Sequence, residues 1–252
     1  MDRWATLACT TIFYVSASLV YLLMAAGLYS AFRHRKELSC KTVMRVYNVL
    51  QVVTNVYVMY ELIGYYLPPN LFGLNHRQEF RIERAVFMHY LLKYADYLDT
   101  FFIIVRKKDN QLSFLHLYHH STISMVWGFL LQVGCAGGTA GFGALCNSFV
   151  HAVMYSHYFI TSFGIRNPYK IVVTNIQMVQ FFTCLAHVPA VLLFDNVIPK
   201  PVAMIQFVYQ STMVILFSQF KRRTYGSKGK SVKGLVPDCV PAMEENGKKK
   251  HK

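Results

Sequence analysis

The sequence predicts an all-α polytopic membrane protein with seven transmembrane helices, on three observations. Its 252 residues are 54% apolar and 15% aromatic but only 15% charged, against roughly a quarter charged in soluble domains. Apolar runs long enough for the about 20 residues that a bilayer core demands of a helix recur near residues 5–32, 43–67, 85–105, 113–133, 139–163, 169–194 and 201–220. Lys and Arg crowd every second turn between those runs, the pattern that sets orientation in a membrane.

The first run follows only Asp2 and Arg3, too little charge for a signal-peptide n-region, and has no cleavage motif before Arg33, so it is read as a retained span. Arg33, Arg35, Lys36, Lys41 and Arg45 surround the turn after it. The second run stops at Pro68-Pro69, and in the next turn Arg77, Arg81 and Arg84 are offset by Glu79 and Glu83. The third run, interrupted by Lys93, Asp96 and Asp99, leads into Arg106, Lys107 and Lys108. The fourth opens on His116 and closes on Gly134, Gly137 and Gly138, a turn without Lys or Arg. The fifth ends before Arg166, Asn167-Pro168 and Lys170, the sixth before Pro199-Lys200-Pro201, and the seventh at Lys221, Arg222 and Arg223. On hydropathy alone the third and fifth runs are the weakest. The charge bias places the N-terminus in the lumen and the tail in the cytosol.

The chain divides into a seven-span domain, 1–225, and a basic cytosolic tail, 226–252, whose composition predicts disorder and attraction to anionic headgroups. Lys248, Lys249 and Lys250 resemble a dilysine retrieval signal of the endoplasmic reticulum. The net charge of +14 flanks the spans rather than forming a folded basic face, which argues against a nucleic-acid partner. Six scattered cysteines without a CxxC pair imply no disulfide framework, and no Asn-x-Ser/Thr acceptor occurs.

The functional signal lies in polar residues within the spans. His116, His119 and His120 share one helical face, and ionisable groups at membrane depth usually mark a working site. Lys93, Asp96 and Asp99 line one side of the third run, where Lys93 can pair with Asp96. Asn147, His151 and Tyr155 form a stripe on the fifth; Gln177, Gln180, Cys184 and His187 form one on the sixth; and Gln206 and Gln210 lie on the seventh. Hydrogen bonds between helices account for the Gln seams. Inward polar faces on five spans predict an enclosed polar cavity.

Four stretches together resemble the boxes of the very-long-chain fatty-acid elongases, the ELO family: Lys93-Tyr-Ala-Asp96-Tyr-Leu-Asp99-Thr100; Asn110-Gln111 followed by His116-Leu-Tyr-His119-His120; Asn147 through His151, Met154-Tyr155 and His157-Tyr158; and Thr174-Asn-Ile-Gln177-Met-Val-Gln180-Phe181. The resemblance runs from about residue 12 to 225 and includes Tyr47-Asn48. Asp96 stands where the family usually has Glu and His157 where it usually has Tyr. The luminal cysteines that members often carry between the second and third, and the sixth and seventh, spans are missing. The resemblance implies a 3-oxoacyl-CoA synthase of the endoplasmic reticulum that condenses a long acyl-CoA with malonyl-CoA, releasing carbon dioxide and CoA. It also implies that the last six helices form a barrel around an acyl-chain tunnel, and that the reductases and dehydratase of the elongation cycle are partners beside the bilayer. No cofactor and no metal is expected.

The residues suit that chemistry. Imidazole has a reference pKa of about 6.5 that desolvation lowers, so neutral, nucleophilic rings are expected. His119 or His151 would take the acyl chain, while the other rings and Asn147 move protons and stabilise oxyanions. Lys93, Asp96, Asp99, Tyr155, Gln177 and Gln180 would support the site, and Arg106, Lys107, Lys108 and Lys170 are candidates for the CoA phosphates. One rival is a membrane di-iron desaturase or hydroxylase, since imidazole suits iron, but it needs further histidine boxes. A seven-span receptor or transporter is the other, and it has little use for a histidine cluster facing the cytosol.

Overall fold

The computed structural model describes residues 7–67, 71–165 and 168–225. Outside them lie Asp2 and Arg3, Pro68-Pro69, Arg166, Asn167, and the tail with Cys239, Lys248, Lys249 and Lys250. The described residues are helical with no strand: α1 (Thr11–Phe32), α2 (Lys41–Tyr66), α3 (Phe80–Ala95), α4 (Tyr97–Val105), α5 (Phe114–Gln132), α6 (Gly141–Thr161), α7 (Lys170–Phe194) and α8 (Lys200–Tyr225). They fall on the seven runs, the third run comprising α3 and α4. Helices of 22 to 26 residues rise about 33–39 Å at 1.5 Å per residue, enough for a hydrocarbon core of about 30 Å.

By length and apolarity alone α1, α7 and α8 are able to cross a membrane. The remaining runs fall short because their polar residues turn inward. Outward, Ile12, Leu23, Tyr60, Leu193, Val208 and Ile215 are all exposed; an apolar surface of that extent is stable against lipid rather than water.

Helix starts follow from capping. Thr10 accepts from the Phe13 N–H at 3.4 Å at the start of α1, and Ser113 from the His116 N–H at 3.2 Å at the start of α5. Pro201 sits in the first turn of α8, where its missing N–H costs nothing. Helix α2 packs on α3 and α6, α6 on α7, α7 on α8, α8 on α5, and α5 on α3, while α1 lies against α4 and α5. A side chain at Gly128 would meet Tyr14 Cδ1 at 2.6 Å, so the α1–α5 contact requires glycine there.

The turns at 33–40 and 106–113 and residues 162–165 share one end of the bundle, here the basic end: the Leu38 N–H donates to the Val105 carbonyl and Arg45 to the Ser162 carbonyl, both at 2.9 Å. At the opposite end, Arg81 donates to Glu61 at 2.9 Å and Arg84 lies 3.6 Å from it. Their charge is therefore offset by a neighbouring helix, not only by Glu79 and Glu83. The same end is latched by Asp195. Its Oδ2 accepts from the Asn75 N–H at 2.7 Å and from Thr139 at 2.6 Å, and its Oδ1 accepts from the Val197 and Ile198 N–H groups at 2.8 Å each. Asn75 also donates to the Phe194 carbonyl and accepts from the Asn196 N–H, both at 2.9 Å. The turn between the second and third runs and the turn between the sixth and seventh are thus joined by hydrogen bonds.

Burial works against the Asp195 charge, but Thr139 and the three backbone N–H groups outweigh it and hold the carboxyl below its ordinary range. The latch therefore contributes fully above the ordinary carboxylate value of about 3.9 and is lost as pH falls through the lower folded value. Asp195→Ala leaves these donors unpaired and is expected to cost about 1–3 kcal/mol, read as a lowered thermal midpoint in detergent at neutral pH.

Candidate functional site

The site begins at a break in the third run. Helix α3 ends at Ala95 and α4 starts at Tyr97, with Asp96 between them at φ −61° and ψ −16°. Lys93 Nζ lies 3.1 Å from Asp96 Oδ2 and donates to Asn147 Oδ1 at 2.9 Å. Gln51 on α2 donates to Asp96 Oδ1 at 2.8 Å. The Tyr155 hydroxyl lies 3.1 Å from that same oxygen and 2.6 Å from Asp99 Oδ2, and Tyr47 reaches Tyr155 at 3.1 Å. A fully buried ammonium and carboxylate are thereby satisfied by groups from α2 and α6, as a buried pair must be. The shorter Asp96 reaches Lys93.

Beside this network lies a cavity of about 240 Å³, lined by His116, His119, His120, Asn147, His151, Asp99, Gln177 and Gln180 among others. The three rings of α5 do share a face: centroids are 4.3 Å apart for His116 and His120 and 5.5 Å for His119 and His120. His116 Nε2 is 2.7 Å from Thr100 Oγ1, itself 2.8 Å from the Tyr21 hydroxyl of α1. His119 Nδ1 is 3.4 Å from the Tyr209 hydroxyl of α8. His151 Nδ1 faces Asp96 Oδ2 at 3.7 Å, beyond hydrogen-bond length, and so has no bonded partner. In both His119 and His151 the Nδ1 is turned to a fixed group, which leaves Nε2 for the cavity.

The predicted site residues divide. Lys93, Asp96 and Tyr155 do not line the cavity; they hold residues that do. Arg106 and Lys170 line it, with Gln111 and Phe220 near the basic end, whereas Lys107 and Lys108 do not. Lys107 sits at φ 54° and gives its ammonium to the Phe32 carbonyl, tying α1 to the turn after α4. Gln177 donates to Met154 Sδ at 3.3 Å and Asn147 to Gln180 Oε1 at 3.4 Å. Gln206 and Gln210 depart from the expectation of helix-to-helix bonds: their Oε1 atoms have no partner. Both line a cavity of about 20 Å³ with His119, Trp127 and Asn147.

Sequence reasoning missed Tyr47 and Gln51 as supports, Thr100 and Tyr21 as partners of His116, and Tyr209 as partner of His119. Tyr47, Gln51 and Asn55 repeat every fourth residue of the second run, the same signal that marked Asn147 and His151. His89 is buried on Ser148 at 3.0 Å, and His187 is bonded to the Phe72 carbonyl at 2.9 Å at the opposite end. Among the described residues no three His, Cys, Asp or Glu side chains are grouped to hold a metal ion.

Comparison with known proteins gives a consistent answer. The chain matches the GNS1/SUR4 family over residues 6–233. It is 42% identical over 215 residues to fatty acid elongase 5 of Trypanosoma cruzi (strain CL Brener), covering 85% of each chain. To fatty acid elongase 5 of Leishmania major it is 43% identical over 203 residues, 81% of each chain. To very long chain fatty acid elongase 4 of Homo sapiens it is 34% identical over 257 residues, 93% of this chain and 82% of that one. A histidine-lined cavity among lipid-facing helices and these matches together identify the chain as a multi-pass membrane protein of fatty-acid elongation and a member of the GNS1/SUR4 family.

Proposed function

We propose that the chain is a 3-oxoacyl-CoA synthase that joins a long-chain acyl-CoA to malonyl-CoA through a histidine-bound acyl group. The observation that carries this reading is the placement of His119 and His151 on one cavity, each with its Nδ1 turned to an anchoring group. In the first half-reaction, Nε2 of one ring attacks the acyl thioester carbonyl. The carbon–sulfur bond breaks, CoA leaves as the thiol, and an acyl-imidazole remains. In the second, malonyl-CoA loses carbon dioxide; its enolate attacks the acyl-imidazole, and as the carbon–carbon bond forms the carbon–nitrogen bond breaks and the imidazole leaves, regaining the proton it gave up to the CoA thiol in the first step. Splitting one step into two by covalent relay is ordinary nucleophilic catalysis. Asn147 Nδ2 and His120, which border the same cavity, would donate to the oxyanions.

The wider architecture follows the same reading. The packing order α2, α6, α7, α8, α5, α3 returns to α2, which supports a six-span ring with α1 outside it and seven spans in all. The main cavity shares His119, Asn147, Gln180 and Phe181 with the 20 Å³ cavity. That one shares Trp127, Gly143, Cys184 and Gln206 with a third of about 50 Å³ bounded by Val188, Val191 and Ile198 near the opposite end. The series supports an acyl tunnel running from the histidines toward a closed far end. Arg106 and Lys170 at the mouth suit CoA phosphates. The charge alternation supports a luminal N-terminus and cytosolic tail, and residence in the endoplasmic reticulum belongs to the same proposal. The product, a 3-oxoacyl-CoA, requires the reductases and dehydratase of the cycle as partners. The proposal assigns no cofactor or metal to the chemistry.

Membranes containing the protein are expected to convert acyl-CoAs of graded length and labelled malonyl-CoA into 3-oxoacyl-CoA. His119→Ala and His151→Ala are each expected to lower the rate at least about 100-fold at unchanged protein level; undiminished product from either variant removes that histidine from the mechanism. A second measurement separates the two rings. Protein given labelled acyl-CoA without malonyl-CoA and quenched in denaturant is expected to retain hydroxylamine-labile label, lost in the nucleophile's variant and kept in the other's.

A further inference from the structure

Two side chains line the main cavity without a role in the chemistry above and without a partner. Asn48 on α2 is 3% exposed and His157 on α6 is 5% exposed. Asn48 Nδ2 and both ring nitrogens of His157 lack any hydrogen bond. A buried polar atom left unpaired is unfavourable, so a ligand group that pairs with it gains affinity. Asn55 Oδ1 and His89 Nε2 are also unpaired, but neither residue borders this cavity. For Asn48 and His157 the space that a partner would fill is already there.

Their level in the bundle says what that partner is. Arg45 bonds Ser162 at 3.2 Å and Tyr47 bonds Tyr155 at 3.1 Å across α2 and α6. Asn48 therefore stands level with the last turns of α6, where His157 lies. His157 follows His151 by six residues, about 9 Å along the axis at 1.5 Å per residue, on the side of the basic end. The pair thus lies between the histidines, which take the thioester, and Arg106 and Lys170 at the mouth.

We propose that Asn48 and His157 bind the pantetheine arm of the CoA thioester through its amides, an inference that rests on the condensation reading. The first amide lies two methylenes beyond the thioester sulfur and the second two methylenes further, so both fall on this part of the path. Asn48 Nδ2 donates to an amide carbonyl. A neutral imidazole carries one donor and one acceptor, so His157 meets an amide with either of its groups. The malonyl carboxylate is a poorer occupant: a single carbon ties it to the thioester carbonyl and keeps it beside His119 and His151. The phosphates lie beyond the arm, at the mouth.

The test is steady-state elongation by the full chain in membranes with three acyl donors: the CoA thioester, the pantetheine thioester, which keeps the amides without the diphosphate, and an S-hexyl thioester with neither. Asn48→Leu and His157→Phe are each expected to raise KM for the first two donors about 2- to 10-fold, with kcat held and the S-hexyl donor unaffected. His157→Gln, which keeps a donor and an acceptor, is expected to restore KM. An unchanged KM, a loss shared equally by the S-hexyl donor, or a fall in kcat alone overturns the proposal. The two positions lie on different helices, so misfolding of one variant leaves the other to decide. Binding is read separately from turnover: pantetheine is expected to raise the thermal midpoint of the purified wild type more than that of either variant. A wild type that makes no 3-oxoacyl-CoA yet shows this difference sinks the condensation reading alone, whereas an active enzyme without it sinks the pantetheine assignment alone.

Discussion

The site depends on one buried ion pair. Lys93 and Asp96 are both sealed from solvent, at a depth where neither charge is tolerable unpaired, and their pairing is completed by Asn147, Gln51 and Tyr155 from two other helices. Removing one member of such a pair typically costs about 3–5 kcal/mol, because the other is left charged and stranded. The same atoms set the chemistry. Asn147 is oriented by the Lys93 ammonium before it borders the cavity, and His151 faces the Asp96 oxygen that Lys93 also holds. Stability and function draw here on one network, and a substitution in it is expected to disturb both.

The histidines differ in how they are held, and the differences suit different tasks. His116 is fixed through Thr100 to Tyr21, which makes α1, packed on α4 and α5, part of the site. His119 is steadied by Tyr209 from the last helix. His151 has a carboxylate behind it at a distance that closes by a small rotation, in keeping with catalytic contacts that tighten only around substrate. His120 Nδ1 has no partner, and its ring rests against His116. Four rings from two helices therefore form two anchored nucleophile candidates, one positioned ring and one open ring.

Much of this was legible in the sequence because each signal was local. The seven runs marked the helices to within six residues at their ends, and i, i+3 and i, i+4 spacing put the rings of α5 together. The stripe Asn147–His151–Tyr155 marked α6 in the same way. What was not legible is contact between runs. Lys107 and Arg106 are neighbours of equal charge in sequence, yet the left-handed backbone at Lys107 swings its ammonium to Phe32 while Arg106 turns to the cavity. The partnership of Thr100 with His116 and of Tyr209 with His119 likewise depends on how helices pack. So does the division of the supporting set: Asp99, Gln177 and Gln180 line the cavity, whereas Lys93, Asp96 and Tyr155 lie behind it.

The departure at Asp96 shows how the fold absorbs a change that the sequence alone makes look costly. A carboxylate one methylene shorter than Glu reaches less far along a regular helix toward a lysine three residues earlier. Here the helix is interrupted at that residue: α3 closes on Asp96, whose N–H still bonds the Leu92 carbonyl at 2.9 Å, and α4 begins one residue later. The interruption accompanies a 3.1 Å contact with Lys93 and leaves the other carboxylate oxygen to Gln51 and Tyr155. It also divides the run into helices of 16 and 9 residues, neither long enough to span a bilayer of about 30 Å by itself. The polar interruption that weakened this run on hydropathy is therefore the same feature that builds the support of the candidate site.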